Sequence, residues 1–208
     1  MKYEVIQTYY KELKKSSLEN AVDVMWANIL PLYFKLELGY GIDAQPCMRD
    51  GKTKKIPDFA IRIVKNGQPK KVCLIEDKRV MHEGSDATWG EAFNQLTAYM
   101  VTARDSNTNP SETMYGIVTV GHYSRFYELL PSQDELCNLS DYDGSPLHFK
   151  KDEMQIDAML QSLVNLTSCY EDGGDGDYED GDYEGGDYEG GDYEGGDYEC
   201  GDYQGYGC

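Results

Sequence analysis

The amino-acid sequence predicts an α/β domain, a small mixed four-stranded sheet flanked by helices in the order helix, three strands, helix, strand, followed by a disordered acidic tail. Two segments carry apolar residues at helical spacing, and between them lie shorter runs of strand character separated by turn signals. A further strand-like run follows the second helix, which argues for a sheet with helices packed on its faces. The charge is also unevenly spread. The chain of 208 residues has a net charge of −19, but residues 171–208 hold 15 of its 38 acids and no base. The first 170 residues hold 23 acids against 19 bases. A body of that length can bury one good core and is too short for two comfortable domains. The expected organisation is one domain, residues 1–170, and one tail, residues 171–208.

The first helix is expected behind a Ser16-Ser17 cap, because Leu18, Val22, Met25, Ile29 and Leu32 fall on one face, and Pro31 should kink or end it. Three strands follow, Tyr40 to Met48, Ile56 to Val64 and Lys71 to Arg79, with turns at Arg49-Asp50-Gly51 and at the hairpin signal Asn66-Gly67. The second helix, Asp86 to Arg104, has Trp89, Ala92, Phe93, Leu96, Met100 and Ala103 as its apolar stripe. Met114 to Val120 reads as the fourth strand, Tyr123 to Leu130 as a short strand or helix, and Asp152 to Leu166 as a closing amphipathic helix. From Gly176 the chain repeats GDYEG-like units, whose Gly, Asp, Glu and Tyr offer almost no aliphatic surface and whose charges repel, so disorder is expected there.

Composition excludes several classes. No apolar run approaches the roughly 20 residues that span a bilayer, and Met1 to Lys15 is charged without an apolar core, so no membrane partner and an intracellular, cytoplasmic or nuclear, protein are expected. The six cysteines form no CxxC pair and the three histidines lie far apart, which argues against a zinc site and for free thiols. His82 and His122, without ligand-spaced partners, are read as non-catalytic, and Trp26, Trp89 and Phe93 as core.

The residues with chemistry cluster around the central hairpin. Asp58 heads the second strand, and Glu76-Asp77-Lys78 ends the third. Alternation puts Glu76 and Lys78 on one face and Asp77 on the other, and pairing through the Asn66-Gly67 turn brings Asp58 across from Glu76. Two carboxylates and an ammonium then converge. Such a group suits Mg²⁺ or Mn²⁺, which take oxygen ligands from one or two carboxylates plus water and phosphate, while the lysine orients or deprotonates the attacking water. Gln95 and Tyr99, four apart, share the helix face at the edge of the apolar stripe. Glu19 stands at the edge of the first helix and can supply a third carboxylate, with Asp23 one turn on as the alternative.

Glu19, Pro57-Asp58, Glu76-Asp77-Lys78 and Gln95-Leu96-Thr97-Ala98-Tyr99, in this order of elements, resemble the PD-(D/E)XK nuclease superfamily, in particular its RecB-like branch with a QxxxY motif. The resemblance spans roughly Ser16 to Leu130. It implies a restriction-endonuclease-like core and a metal-dependent nuclease. By this resemblance Asp58 and Glu76, with the backbone carbonyl of Asp77 and the acid of the first helix, Glu19, hold the metal. Lys78 acts on the water, and Gln95 and Tyr99 support the site. Ten bases against four acids between Arg49 and Arg79 suggest a basic rim for a nucleic-acid substrate, and the resemblance implies DNA sooner than RNA. The alternative is a non-catalytic protein of the same fold whose acidic tail binds a basic protein partner or competes with nucleic acid. For Asp58, Glu76 and Lys78 themselves, the plain alternative is a surface ion pair on an exposed hairpin.

Overall fold

The computed structural model describes residues 3–44, 56–65, 67–107 and 111–168, which all fall within one compact unit, Met1–Glu171. The expected tail, the Arg49-Asp50-Gly51 turn and Asn66 lie outside the described residues. Eleven helices and strands follow in order: α1 (Glu4–Glu12), α2 (Asn20–Ile29), β1 (Tyr40–Ala44), β2 (Phe59–Lys65), β3 (Gln68–Lys78), α3 (Asp86–Asp105), β4 (Met114–Val120), β5 (Tyr123–Leu129), β6 (Cys137–Asn138), β7 (Leu147–His148) and α4 (Glu153–Ser168).

The hairpin forms where the sequence places it. β2 and β3 pair antiparallel up to Lys65 and Gln68, and Gly67 takes φ +72°, a left-handed backbone natural to glycine. β3 then runs parallel to β4, and a parallel pair needs a long crossover, which α3 provides. β1 and β5 extend the sheet antiparallel on either side. β3 is therefore central, with strands on both edges and helices on both faces, and it is buried from Val72 through Asp77.

The two faces divide the core. Cys73, Ile75 and Ile117 join Met25, Trp26, Leu160 and Leu163 beneath α2 and α4. Leu74, Val118 and Val120 join Trp89, Ala92, Leu96 and Met100 beneath α3. The register slips between Ile61 and Arg62, leaving Val72 unpaired and packed with Cys73 on the α2 side. From Cys73 onward the alternation is regular, and that phase fixes which way each acid at the end of β3 points.

Several expectations need correction. Leu18 is 58% exposed rather than the start of the buried stripe, because α2 begins only at Asn20. The Ser17 hydroxyl accepts the Lys14 N–H, so it closes the preceding turn and does not cap α2. α1 was not anticipated; it buries little besides Ile6, too thin a stripe to stand out among its charges. Among the described residues the sheet has seven strands, not four: Tyr123–Leu129, open between strand and helix in the sequence, is a strand, and the two-residue β6 and β7 are additions. Pro31 does end the α-helix, in a 3₁₀ turn over Leu30–Leu32. The α3 stripe and β4 appear as expected.

Gly121 locks the ends of β3 and β4 together. Its N–H donates to the Lys78 carbonyl at 2.9 Å, its φ is +59°, and an added Cβ would come within 2.7 Å of the Val80 Cα. Gly121→Ala therefore combines backbone strain with overpacking against main chain and is expected to cost about 2 kcal/mol or more. Chemical denaturation tests this, and an unchanged midpoint would contradict it.

Candidate active site

Asp58 is held at the mouth of the hairpin by two backbone bonds. Its N–H donates to the Ile75 carbonyl at 3.0 Å, and its Oδ2 accepts the Asp77 N–H at 2.7 Å. On the α3 side, Glu76 is only 4% exposed, and its Oε1 forms an ion pair with Lys78 Nζ. Lys78 Nζ also lies 3.7 Å from Glu19 Oε1, which reaches over from the start of α2. Tyr99 is buried under the same face; burial, then the charges of Glu76 and Asp58, push its hydroxyl up to about 12. Gln95 instead donates to Glu91 on its own helix at 2.9 Å.

Asp77 points the other way. It is 0% exposed, on the face that carries Thr119 and Trp26, whose Nε1 donates to Thr119 Oγ1 at 2.7 Å. Asp23 enters this face from α2. Among the described residues, Asp23, Asp58 and Asp77 each offer a carboxylate oxygen, and these oxygens lie within 4.8 Å of one another. Of the two helix acids, then, the structure brings Asp23 to the carboxylates and Glu19 to the lysine. The resemblance assigns position 77 its backbone carbonyl alone. The signal for its side chain was present, since the strand run from Val72 is apolar on both faces and so buries whatever follows on either side.

The electrostatics are strongly unbalanced. Five acids, Glu19, Asp23, Asp58, Glu76 and Asp77, gather at this end of β3, and Lys78 is paired with only two of them, Glu76 and Glu19. Burial first, then the charges of Asp58 and Glu19, raise Asp23 to about 7. Burial likewise raises Glu76 to about 7 against the pull of Lys78. Asp58 is raised by burial despite its Asp77 N–H bond, and Asp77 is held well above the ordinary carboxylate range by burial and by Asp58, Asp23 and Glu76. Burial draws the Lys78 ammonium down, but the bond and charge of Glu76, with Glu19 and Asp58, outweigh it and hold Lys78 above its usual value. Asp23 Oδ1, Glu76 Oε2 and both oxygens of Asp77 are buried without a hydrogen-bond partner. Although the neighbouring Thr119 hydroxyl eases the charge of Asp77, it is bonded to Trp26 and paired with Ser124 Oγ at 3.0 Å. Buried carboxylate oxygens without donors are costly unless protons or a cation compensate them. An all-oxygen, anionic, partly dry group of this kind fits Mg²⁺ or Mn²⁺.

Arg62, Lys65 and Lys70 of the hairpin do not rim these acids. Lys70 near the start of β3 is six residues from Glu76, about 20 Å along an extended strand. Arg62 is paired with Asp43, Lys70 with Glu112, and Lys65 Nζ donates to the Ser168 carbonyl at 3.1 Å. Lys52, Lys54 and Lys55 lie outside the described residues. His122 has a local role, with Nδ1 2.6 Å and backbone N–H 2.8 Å from Glu83 Oε1, in a ring cluster with Tyr10 and His148. Trp26, Trp89 and Phe93 belong to the core clusters.

Compared with models of protein families, with curated proteins and with solved structures, the chain has no match. What the site can do follows from its own groups. Among the described residues no helix is long and apolar enough to cross a membrane.

Proposed function

We propose that this chain is a Mg²⁺- or Mn²⁺-dependent nuclease with a restriction-endonuclease-like core, hydrolysing phosphodiester bonds of DNA. The observation that carries the reading is one charged lysine, bonded to a buried glutamate, beside an excess of carboxylate oxygens that lack donors. Asp58 and Glu76 would hold the cation. When bound, it polarises the phosphate and stabilises the charge that develops on it. Lys78, held as an ammonium by its neighbours, has no lone pair to offer, so it orients the attacking water by donating a hydrogen bond rather than deprotonating it. Its bond to Glu76 Oε1 fixes the direction of that donation. Tyr99, protonated across the ordinary range, closes the α3 side of the site against solvent.

A second reading is a non-catalytic protein of this fold whose acidic tail engages a basic protein or competes with nucleic acid. The distance of Lys65 and Lys70 and the local pairing of Arg62, Lys65 and Lys70 favour it, since a phosphodiester substrate needs cations near the acids. Incubating the full chain with plasmid, linear duplex, single-stranded DNA and RNA at millimolar Mg²⁺ or Mn²⁺ separates the two. Cleavage that stops on chelation is expected. An intact panel in both metals would favour the binding protein.

A further inference from the structure

The metal dependence proposed above leaves open where the carboxylates hold a cation. Position 77 stands on β3, and by alternation its side chain faces α2 while Glu76 and Lys78 face α3. Along the chain these are neighbours, but they open onto opposite sides of the sheet. Asp58, ahead of β2 and tied to the Asp77 N–H, stands between them.

Glu76 and the Asp77 side chain therefore differ in kind. One oxygen of Glu76 is taken by Lys78, which neutralises most of its charge locally. Asp77 has no ion-pair partner; it is fully buried, only the neighbouring Thr119 hydroxyl eases its charge, neither oxygen makes a well-formed hydrogen bond, and one of them is aimed at Asp23 and Asp58. A buried aspartate would ordinarily be paired, hydrogen-bonded or replaced by an apolar residue. Asp23 and Asp58 are only partly buried, so an ion can reach the group from solvent past them. Three carboxylates at this spacing, with no nitrogen or sulfur donor among them, select a hard divalent cation.

We propose that a divalent cation binds between Asp23, Asp58 and Asp77, with the side chain of Asp77 as a ligand, at a position distinct from the one Asp58 forms with Glu76. Asp58 is shared by both positions, and the backbone of β3 separates their other ligands. The proposal rests on the metal dependence of the site and not on the identity of the substrate.

Calorimetric titration of the full chain with Mn²⁺ tests it, with Asp77→Asn, Asp23→Asn and Glu76→Gln compared with the parent. The 15 acids of residues 171–208 are the same in every variant, so differences between variants report on the domain. Asp77→Asn and Asp23→Asn are expected to weaken the tightest Mn²⁺ binding roughly tenfold or more, as affinity follows the count of charged ligands, while Glu76→Gln leaves it within a factor of about three. Melting without metal checks that each variant is folded before its Mn²⁺ affinity is compared. Should Asp77→Asn fail to fold, Asp23→Asn on the partly exposed helix face carries the test. Parent-like Mn²⁺ affinity in Asp77→Asn or Asp23→Asn, or loss in Glu76→Gln alone, would overturn the proposal. The nuclease reading is judged separately by cleavage. Mn²⁺ binding that follows this pattern without cleavage leaves the cation site standing and ends the nuclease; cleavage with parent-like Mn²⁺ affinity in Asp77→Asn does the reverse.

Discussion

Lys78→Ala is expected to lower Mg²⁺-dependent cleavage by about 10²- to 10⁴-fold, the range typical of a group that positions or transfers a proton in the reacting complex. The loss should fall on the rate of a single turnover rather than on substrate affinity, because Lys78 is bonded to Glu76 within the site and the bases of the hairpin lie elsewhere. The fold should survive. Removing one partner of a buried ion pair ordinarily costs about 3–5 kcal/mol because a bare charge is left behind. Here Glu76 escapes that cost by taking a proton, since burial already raises it to about 7 with Lys78 present and the loss of the lysine raises it further. The variant should therefore melt near the parent temperature at or below neutral pH and fall behind it only in alkaline buffer. Lys78→Arg keeps the charge but replaces a compact ammonium with a planar fork and should recover stability more than rate. Single-turnover cleavage and circular-dichroism melting read the two effects apart. A folded Lys78→Ala with parent activity would remove Lys78 from the chemistry.

How much of this was legible in the sequence depended on how local each cause was. α3 was readable because Trp89, Ala92, Leu96 and Met100 repeat at helical spacing within a twenty-residue helix, and β4 because every residue in it is apolar or small. The two-residue turn brings Asp58 to within one residue of its place at the end of β3, and the bulge between Ile61 and Arg62, which has no local signal, sets the final register. Three things were not local. α1 is held by Ile6 and Leu13 against distant residues, and its own charges hide it. β6 and β7 are two residues each, below the length at which alternation carries any signal. The bases between Arg49 and Arg79 are close in the chain to the acids, but extended strand carries Lys65 and Lys70 to the opposite end of β3, so proximity in sequence misled about proximity in space. The choice between Glu19 and Asp23 turned on where α2 begins. With its start at Asn20, Glu19 lies at the cap and swings to Lys78, while Asp23, one turn in, lies beside Asp58 and Asp77.

Without metal, the protein should be more stable at about pH 5 than at about pH 8, the reverse of the usual behaviour of paired surface carboxylates. Asp23 and Glu76 are raised to about 7 in the folded state, and Asp58 and Asp77 are raised with them. In the unfolded chain these groups titrate near about 4. Between those values the folded state binds more protons than the unfolded one, so stability increases as pH falls through that window. The contribution is complete below about 4 and is lost as pH rises through about 7, with a slope of up to about 1.4 kcal/mol per pH unit for each carboxyl. A divalent cation should invert the trend, because it requires the same carboxylates deprotonated. Its stabilising effect should be small at about pH 5 and grow toward about pH 8, where proton competition ends. Melting curves across this range, with chelator and with saturating Mg²⁺, give two lines of opposite slope if the cluster controls them. Glu76→Gln and Asp23→Asn should each flatten the chelator line, since an amide carries no proton to exchange. A melting temperature that climbs steadily with pH in chelator would mean that the native cluster does not hold these protons, and that its carboxylates are charged and compensated without metal.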